Sequence, residues 1–163
     1  MKRLLLDTNI YGELVFDGEY NTLKHKMPQR CVIHGFEVVR KELRDVPSKV
    51  KVYGHNLRIS LLHIYDEITA KSYSLTEEMS TLANQYYTTY REVGGSKSRE
   101  QMFNDFTVVA CASLHQIDIV VSEDNKSMLV ENALKSYNLV NKERKIRTPE
   151  FIGYLQFKRW LSE

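Results

Sequence analysis

The sequence predicts an α/β fold in which helices cover both faces of a mostly parallel sheet. Short apolar runs of strand type alternate with longer segments whose apolar residues recur every three or four positions, the spacing of one helical face. This alternation is the pattern of a three-layer α/β/α sandwich. The nearly continuous β-branched run at residues 117–121 is typical of a strand buried on both faces of a parallel sheet. No repeat or composition boundary interrupts the chain, so residues 1–163 are predicted to form one domain.

The first third of the chain is predicted to contain two strands, each followed by a helix. Residues 4–6 form a short buried strand, and Asp7-Thr8-Asn9 directly after it opens a helix. A polar helical segment then leads to Pro28 and to a second strand at residues 31–33. The amphipathic helix that follows is closed by Pro47, because the residue before a proline disfavours helical geometry.

The middle third is predicted to contain two consecutive helices. The first covers residues 57–68, and Ser74-Leu75-Thr76-Glu77 is a capping box that opens the second, which ends at Gly94-Gly95. Because no strand is evident between them, we expect these helices to form a hairpin that protrudes from the sheet. Tyrosines in this region can pack in the core or line a partner surface. They are Tyr65, Tyr73, Tyr86, Tyr87 and Tyr90.

The last third is predicted to begin with a buried helix at residues 104–114 and the strand at residues 117–121. A helix from Lys126 to about Tyr137 and a charged link follow, and Ile146 is a candidate for a short edge strand. Thr148-Pro149-Glu150 has the pattern of a helix start, with an N-cap and a proline at the first helical position. We therefore expect the last helix to begin there.

Composition and motifs exclude several classes of protein. No 18-residue apolar run and no signal-peptide pattern occur, which predicts a cytoplasmic protein without a membrane span. Cys31 and Cys111 lie in apolar surroundings without CxxC spacing and are interpreted as reduced thiols. The segment from Gly94 to Ser98 lacks the first glycine and the preceding strand of a phosphate-binding loop. No pair of histidines has the spacing of a zinc site.

Four carboxylates remain as candidates for chemistry. Asp7 and Asp124 follow predicted strands, while Glu42 and Asp105 lie beside buried helix faces. Because the carboxyl ends of parallel strands form a ligand crevice, the four acids can converge on one point. Clustered carboxylates repel one another unless a cation neutralises them, and ligands that are all oxygen select Mg²⁺ or Mn²⁺.

Each of these acids also has a structural interpretation. Asp7 or Thr8 can cap the helix that begins there, and Glu42 can be an exposed helical acid. Glu37 lies on the same helix as Glu42, and spacing alone does not separate them. The charge distribution is compatible with a polyanionic partner, since basic clusters, such as the one from Lys142 to Arg147, surround the predicted acidic pocket.

Four segments of the sequence resemble the acidic motifs of the PIN-domain family. They are LLLDTNI, the helix that ends in KELR, NDFTVVACA and IDIVVSEDN, and they match in order and spacing across nearly the whole chain. The resemblance implies a Rossmann-like sheet and a metal-dependent ribonuclease, and many small members of the family are VapC-type toxins of toxin–antitoxin pairs. The residues that match are Asp7 with its companion Asn9, Glu42, Asp105, and Asp124 with Ser122 before it.

The sequence thus leads to the hypothesis of an Mg²⁺- or Mn²⁺-dependent endoribonuclease. The four acids would hold the metal, directly or through water, and Asn9 and Ser122 would orient them. Water attack on phosphorus would leave a 5′-phosphate and a 3′-hydroxyl. The resemblance further implies a homodimer and a cognate antitoxin. An RNA-processing nuclease outside such pairs stays open, because the chain exceeds a minimal toxin of about 130 residues. The alternative function is a non-catalytic module that binds RNA or protein on the same scaffold.

Overall fold

The computed structural model describes residues 1–163, which form seven strands and eight helices. The strands are β1 (Lys2–Leu6), β2 (Cys31–Phe36), β3 (Lys51–Val52), β4 (His55–Asn56), β5 (Thr69–Tyr73), β6 (Ile119–Val121) and β7 (Glu150–Ile152). The helices are α1 (Thr8–Phe16), α2 (Tyr20–Arg30), α3 (Glu37–Arg44), α4 (Leu57–Ile68), α5 (Glu77–Glu92), α6 (Arg99–Leu114), α7 (Glu131–Arg144) and α8 (Tyr154–Ser162).

Five of the strands form one sheet in the order β5-β2-β1-β6-β7, and every neighbouring pair is parallel. The topological switch point of the sheet lies between β1 and β6. From β1 the chain continues outwards to β2 and β5, and from β6 it continues outwards in the opposite direction to β7. The short strands β3 and β4 pair with each other in a separate antiparallel hairpin. In an open parallel sheet the crevice at the switch point is where a ligand site is expected.

Two helical layers cover the sheet, which confirms the predicted α/β/α sandwich. On one face α1 packs against α3 and α4, and α2 packs against α8. On the other face α5 packs against both α6 and α7. One continuous hydrophobic core joins the layers, and Leu4, Leu5, Val120 and Val121 of the central strands are fully or almost fully buried in it. No helix of the structure combines the length and the apolar character that crossing a bilayer would require.

The predicted protruding hairpin of the fourth and fifth helices is wrong. Residues Thr69–Tyr73 form the edge strand β5, which pairs with β2 and separates α4 from α5. The segment was not evident as a strand because Lys71 and Ser72 are polar, and an edge strand with an exposed middle needs no apolar run. The two helices consequently lie on opposite faces of the sheet, and the helix pair is instead α5 with α6.

The C-terminal third also differs from the expectation. Residues 125–129 form turns and residue 130 a bend, so that α7 begins at Glu131 and continues to Arg144 through most of the charged link. The proposed edge strand at Ile146 and the proposed helix start at Thr148 are both wrong. The chain instead pairs Phe151 and Ile152 with β6 before α8 begins at Tyr154. Tertiary pairing to a buried strand outweighs the local proline signal. A smaller difference occurs in the first third of the chain, where Pro28 lies inside α2 rather than after it.

The tyrosines of the middle third belong to the core. Tyr65, Tyr73, Tyr86 and Tyr90 are buried, and Tyr87 is partly buried. Surplus tyrosine surface in this region therefore does not exist, and core packing is the correct interpretation.

A buried polar network fixes the α5–α6–α7 layer. The Tyr86 hydroxyl donates to the Asn141 side-chain carbonyl at 2.6 Å, and the Asn141 amide donates to Ser113 and Thr148 at 3.0 Å each. Tyr86, Ser113 and Asn141 have no exposed surface. Because a buried polar group without a partner is costly, this network selects one arrangement of the three helices.

We expect Tyr86→Phe to lower the free energy of unfolding by about 1–3 kcal/mol, because it leaves the Asn141 carbonyl buried without its donor. Urea denaturation measures the change. Tyr53→Phe is the matched control, since Tyr53 is 80% exposed, and it should change stability by less than about 0.5 kcal/mol. Equal stability of Tyr86→Phe and wild type would contradict the role of the network.

Candidate active site

The sheet places the first acid through backbone pairing. The Asp7 backbone N–H donates to the Val121 carbonyl at 2.9 Å, and the Ser122 N–H donates to the Ile152 carbonyl at 3.0 Å. Parallel pairing therefore continues one residue beyond the ends of β1 and β6. As a result, Asp7 and Ser122 stand side by side at the carboxyl edge of the sheet.

Three hydrogen bonds hold the Asp7 carboxylate. Oδ1 accepts the Thr8 backbone N–H at 2.8 Å, which caps α1, and Oδ2 accepts the Ser122 hydroxyl at 2.7 Å and the Asn9 amide at 3.3 Å. The side chain is buried, and burial raises the pKa of Asp7 despite these hydrogen bonds, while the charge of Asp124 raises it further. The capping interpretation is thus correct for Asp7, but three donors around a buried acid exceed what a cap requires.

Asn9 connects this acid to the loop after β6. Its amide donates to Asp7, and its side-chain carbonyl accepts the Glu123 backbone N–H at 3.1 Å. Ser122 makes a second connection to the same loop, since its hydroxyl accepts the Asp124 N–H at 3.0 Å while it donates to Asp7. The two polar residues that were expected to orient the acids therefore link Asp7 to the Asp124 loop.

Asp105 and Asp124 both contact Ser127, a residue outside the four acidic motifs. The Ser127 hydroxyl lies within hydrogen-bond distance of both carboxylates, at 2.5 Å from Asp124 Oδ2 and in a short contact with Asp105 Oδ2. A hydroxyl carries one hydrogen and can donate to only one of them at a time. The Asp124 carboxylate also accepts the backbone N–H groups of Lys126 and Ser127, both at 3.0 Å.

The pKa values of the two acids move in opposite directions. Burial raises the pKa of Asp105 to about 8, and the charges of Asp7 and Asp124 add to the rise. Burial would also raise the pKa of Asp124, but the hydrogen bonds from Ser127, Asp105 and the loop backbone lower it overall. Without a cation, Asp105 therefore retains a proton where Asp124 is ionised. Two acids with pKa values pushed apart in one crevice are a feature of functional sites.

Three of the predicted acids come together. One carboxylate oxygen from each of Asp7, Asp105 and Asp124 lies within 4.8 Å of the other two. An oxygen-only set of this size suits a hard divalent cation such as Mg²⁺ or Mn²⁺. The raised pKa values of Asp7 and Asp105 are the electrostatic strain that such a cation would relieve.

Glu42 lies next to this cluster. Its carboxylate accepts the Thr8 hydroxyl at 3.1 Å, and burial together with the charges of Asp7, Asp45 and Asp124 raises its pKa. The alternative acid, Glu37, is exposed and accepts the Leu75 backbone N–H at 2.8 Å, away from the cluster. The geometry thus distinguishes two helical acids that spacing alone could not separate.

Two hydroxyl residues of the site were missed, Ser127 and Thr8. Ser127 follows Asp124 by three positions, the spacing at which an aspartate side chain accepts the backbone N–H of a turn, and this signal was available in the sequence. Thr8 had been considered only as a helix cap. Its contact with Glu42 depends on the packing of α1 against α3 and carries no sequence signal.

No protein-family model matches the sequence, and no curated protein matches it. Solved structures do resemble the fold. A chain of the VapBC2 complex of Rickettsia felis, bound to promoter DNA, superposes with a TM-score of 0.61 at 15% identity, covering 93% of this chain and 98% of that chain. A chain of VapBC-5 from Mycobacterium tuberculosis, described as a toxin–antitoxin system, gives 0.55 at 15% identity over 94% and 99%.

A third similar structure is VapC20 of Mycobacterium tuberculosis, which is described as a toxin that cleaves the sarcin–ricin loop. Its TM-score is 0.51 at 16% identity, over 76% of this chain and 91% of that chain. At these identities the similarity concerns the fold. The protein therefore has the three-layer α/β/α fold of these chains. More specifically, this is the VapC-like PIN-domain fold that the four acidic motifs implied.

We expect the metal-free protein to be less stable at about pH 8 than at about pH 5. Native Asp105 keeps its proton up to a pKa of about 8, whereas the unfolded carboxyl releases it near 3.8. The native state thus binds more protons across this interval, and the free energy of unfolding falls as the pH rises. Urea denaturation in chelator measures it, and Asp105→Asn should reduce the decline. Stability that rises towards about pH 8 would contradict the shifted pKa.

Proposed function

We propose that the protein is an Mg²⁺- or Mn²⁺-dependent endoribonuclease that hydrolyses RNA phosphodiesters. The observation that carries the proposal is the convergence of Asp7, Asp105 and Asp124 from β1, α6 and the loop after β6. Folding together three carboxylates, two of them with raised pKa values, costs stability. A cation-dependent activity gives a reason for that cost, and capping alone does not.

The residues of the chain have distinct tasks in this proposal. Asp7, Asp105 and Asp124 are the ligands, and Glu42 is a fourth acid that acts through water or by holding the attacking water. Ser122 and Asn9 fix the orientation of Asp7, and Ser127 fixes the two remaining carboxylates relative to each other. Hydroxyl and amide groups that hold ligating carboxylates in place raise both metal affinity and activity.

A divalent cation bound at this site supplies charge neutralisation and polarises water for in-line attack on phosphorus. The raised pKa of Glu42 suits a group that accepts or holds a proton beside the reacting water. The products are then a 5′-phosphate and a 3′-hydroxyl. The hydrogen bonds of the four acids involve no histidine that would support the alternative route through the 2′-hydroxyl.

The alternative is a binding module without turnover. It is favoured by the structural roles that two acids already have, because Asp7 caps α1 and Asp124 holds the turn at Lys126 and Ser127. Asp105 has no comparable role, since its carboxylate contacts only Ser127 Oγ and Asp124. Asp105 is therefore the residue at which the two functions make different predictions.

We expect cleavage of RNA in Mn²⁺ or Mg²⁺ that stops in chelator and yields 5′-phosphate ends. Asp105→Asn should reduce the rate at least about a hundredfold, because an amide is a poor ligand for the cation. The matched control is Asp66→Asn, which removes an exposed carboxylate that pairs with Arg40 on the surface, and it should cleave as wild type does. Cyclic phosphate ends, or full activity in chelator, would exclude the metal-dependent mechanism.

Thermal melts of the same variants separate the nuclease from the module. Without metal, Asp105→Asn should melt at or above the wild-type temperature, since the neutral amide avoids the cost of keeping the buried carboxyl protonated or, above about pH 8, ionised. Mn²⁺ should stabilise wild type by mass action and the variant much less. A variant that melts lower without metal and responds to Mn²⁺ as wild type does would show that Asp105 is structural.

We further propose that the protein forms a homodimer and binds an antitoxin-like partner, as the VapBC assemblies that share its fold suggest. The proposed contact surface of the homodimer is an exposed apolar group. It consists of Phe16, Tyr53 and Ile59, whose side chains are 54%, 80% and 64% exposed. Phe16 and Tyr53 contact each other edge to face, and Ile59 lies with Tyr53 along a cleft of about 420 Å³.

Light scattering should give twice the mass of the chain for wild type. The double variant Tyr53→Ser, Ile59→Ser should shift the mass towards the monomer, because exposed apolar contacts drive association. Leu139→Ser is the control, as Leu139 is also exposed, at 52%, but lies on α7. A monomeric wild type would contradict the dimer, and a dimeric double variant would exclude this surface as the interface.

A further inference from the structure

The segment from Gly94 to Ser98 lies beside the acids, although it is not a phosphate-binding loop. It connects α5 to α6, the helix that carries Asp105, and Ser98 is the N-cap of α6 with a complete capping box. The segment also contacts the loop that carries Asp124 and Ser127, through Lys97. Its position next to two of the three clustered acids is not explained by the proposed ligands.

Two tyrosines clamp the backbone of Lys97. The Tyr87 hydroxyl donates to the Lys97 carbonyl at 3.0 Å, and the Lys97 N–H donates to the Tyr90 hydroxyl at 3.1 Å. The turn packs so closely on Tyr90 that a Cβ at Gly95 would lie 2.3 Å from the ring. The backbone of Lys97 is therefore fixed before any substrate arrives, which lowers the entropy cost of a contact made by its side chain.

The ammonium of Lys97 reaches the rim of the acid cluster. It donates to the carbonyl of Lys126, and the N–H of Lys126 in turn donates to the Asp124 carboxylate at 3.0 Å. Lys97 is half-buried and pairs with no carboxylate within 4.0 Å. Because an ammonium has three donors and only one is used, the others are available to an incoming acceptor.

The net charge of the acids and the bound metal ion favours a positively charged side chain at this position if RNA is to bind. The three ionised carboxylates carry three negative charges, and a divalent ion compensates two, so one remains. A phosphodiester next to that charge is repelled unless positive groups lie close by. Lys41 and Arg44 line a separate cleft together with three acids, Glu37, Glu42 and Asp45, so the basic residues there do not outnumber the acidic ones.

We propose that Lys97 is a substrate-positioning residue whose ammonium binds an RNA phosphate next to the one that is cleaved. The inference rests on the proposed function for the identity of the substrate. In this arrangement the ammonium keeps its bond to the Lys126 carbonyl and donates a second N–H to a phosphate oxygen. Tyr87 and Tyr90 act through Lys97, because they hold its backbone at the rim.

The experiment measures RNA binding by variants that carry Asp105→Asn, which is expected to prevent cleavage of the RNA during the measurement. Fluorescence anisotropy follows a short single-stranded RNA of mixed sequence on Asp105→Asn, with and without Lys97→Ala. We expect Lys97→Ala to weaken binding about tenfold. The slope of log affinity against log salt should fall by about 0.7, the value for one phosphate contact on a single strand. Lys97→Arg should restore both, since it keeps the charge and the donors.

The matched control is Lys2→Ala in the same background, because Lys2 is an exposed lysine without an ion pair at the first residue of β1, the end of the strand opposite to Asp7. Affinity and salt slope equal to the control would overturn the proposal. A second measurement is the Mn²⁺ stabilisation of Lys97→Ala in the otherwise wild-type chain, which should equal that of wild type. A reduced response to Mn²⁺ would mean that Lys97 orders the Asp124 loop instead, and this outcome also overturns the phosphate contact.

The proposed function fails by a different observation, namely the absence of RNA cleavage by wild type in Mn²⁺. Loss of RNA binding in Lys97→Ala together with an inactive wild type would support the contact and reject the nuclease. Unchanged binding with an active wild type would support the nuclease and reject the contact.

Discussion

The candidate site depends on parallel pairing that continues one residue beyond the strands, both between β1 and β6 and between β6 and β7. The Asp7 N–H is bonded to the Val121 carbonyl and the Ser122 N–H to the Ile152 carbonyl, so both residues are fixed through their backbones. Buried backbone donors need partners, which makes this extension of the sheet costly to break. The hydrogen bond from Ser122 to Asp7 then follows from the register, and the Ser122 hydroxyl extends it by accepting the Asp124 N–H.

Hydroxyl groups donate hydrogen bonds to the closely spaced carboxylates of the site. Ser122 serves Asp7, Ser127 serves Asp105 and Asp124, and Thr8 serves Glu42. A hydroxyl donates one hydrogen bond and can rotate towards another acceptor, so it stabilises a charged oxygen without a fixed countercharge. A lysine or arginine in the same place would neutralise the acids permanently and leave no room for a cation. The site is consequently negative but ordered.

The frame that brings α6 to the site is specified far from the acids. The buried contacts among Tyr86, Ser113 and Asn141 select the arrangement of α5, α6 and α7, and Tyr87 and Tyr90 of α5 hold the turn that leads into α6. Asp105 projects from α6 within two turns of that start. Contacts of α5 and α7 therefore set the position of Asp105, although neither helix contributes an acid to the cluster.

The sequence by itself determined the fold class, the position of the central strands and three acids that the structure brings together. Apolar periodicity reports burial directly, and Asp7 and Asp124 follow buried strands whose carboxyl ends must meet at one edge. Only the tertiary structure placed Glu42 rather than Glu37 next to the clustered acids, brought Ser127 and Thr8 into contact with carboxylates of the candidate site, and paired residues 69–73 and 150–152 as strands. These features depend on which element lies alongside which. Edge strands and hydrogen bonds between distant residues draw their free energy from partners that no local pattern of residues contains.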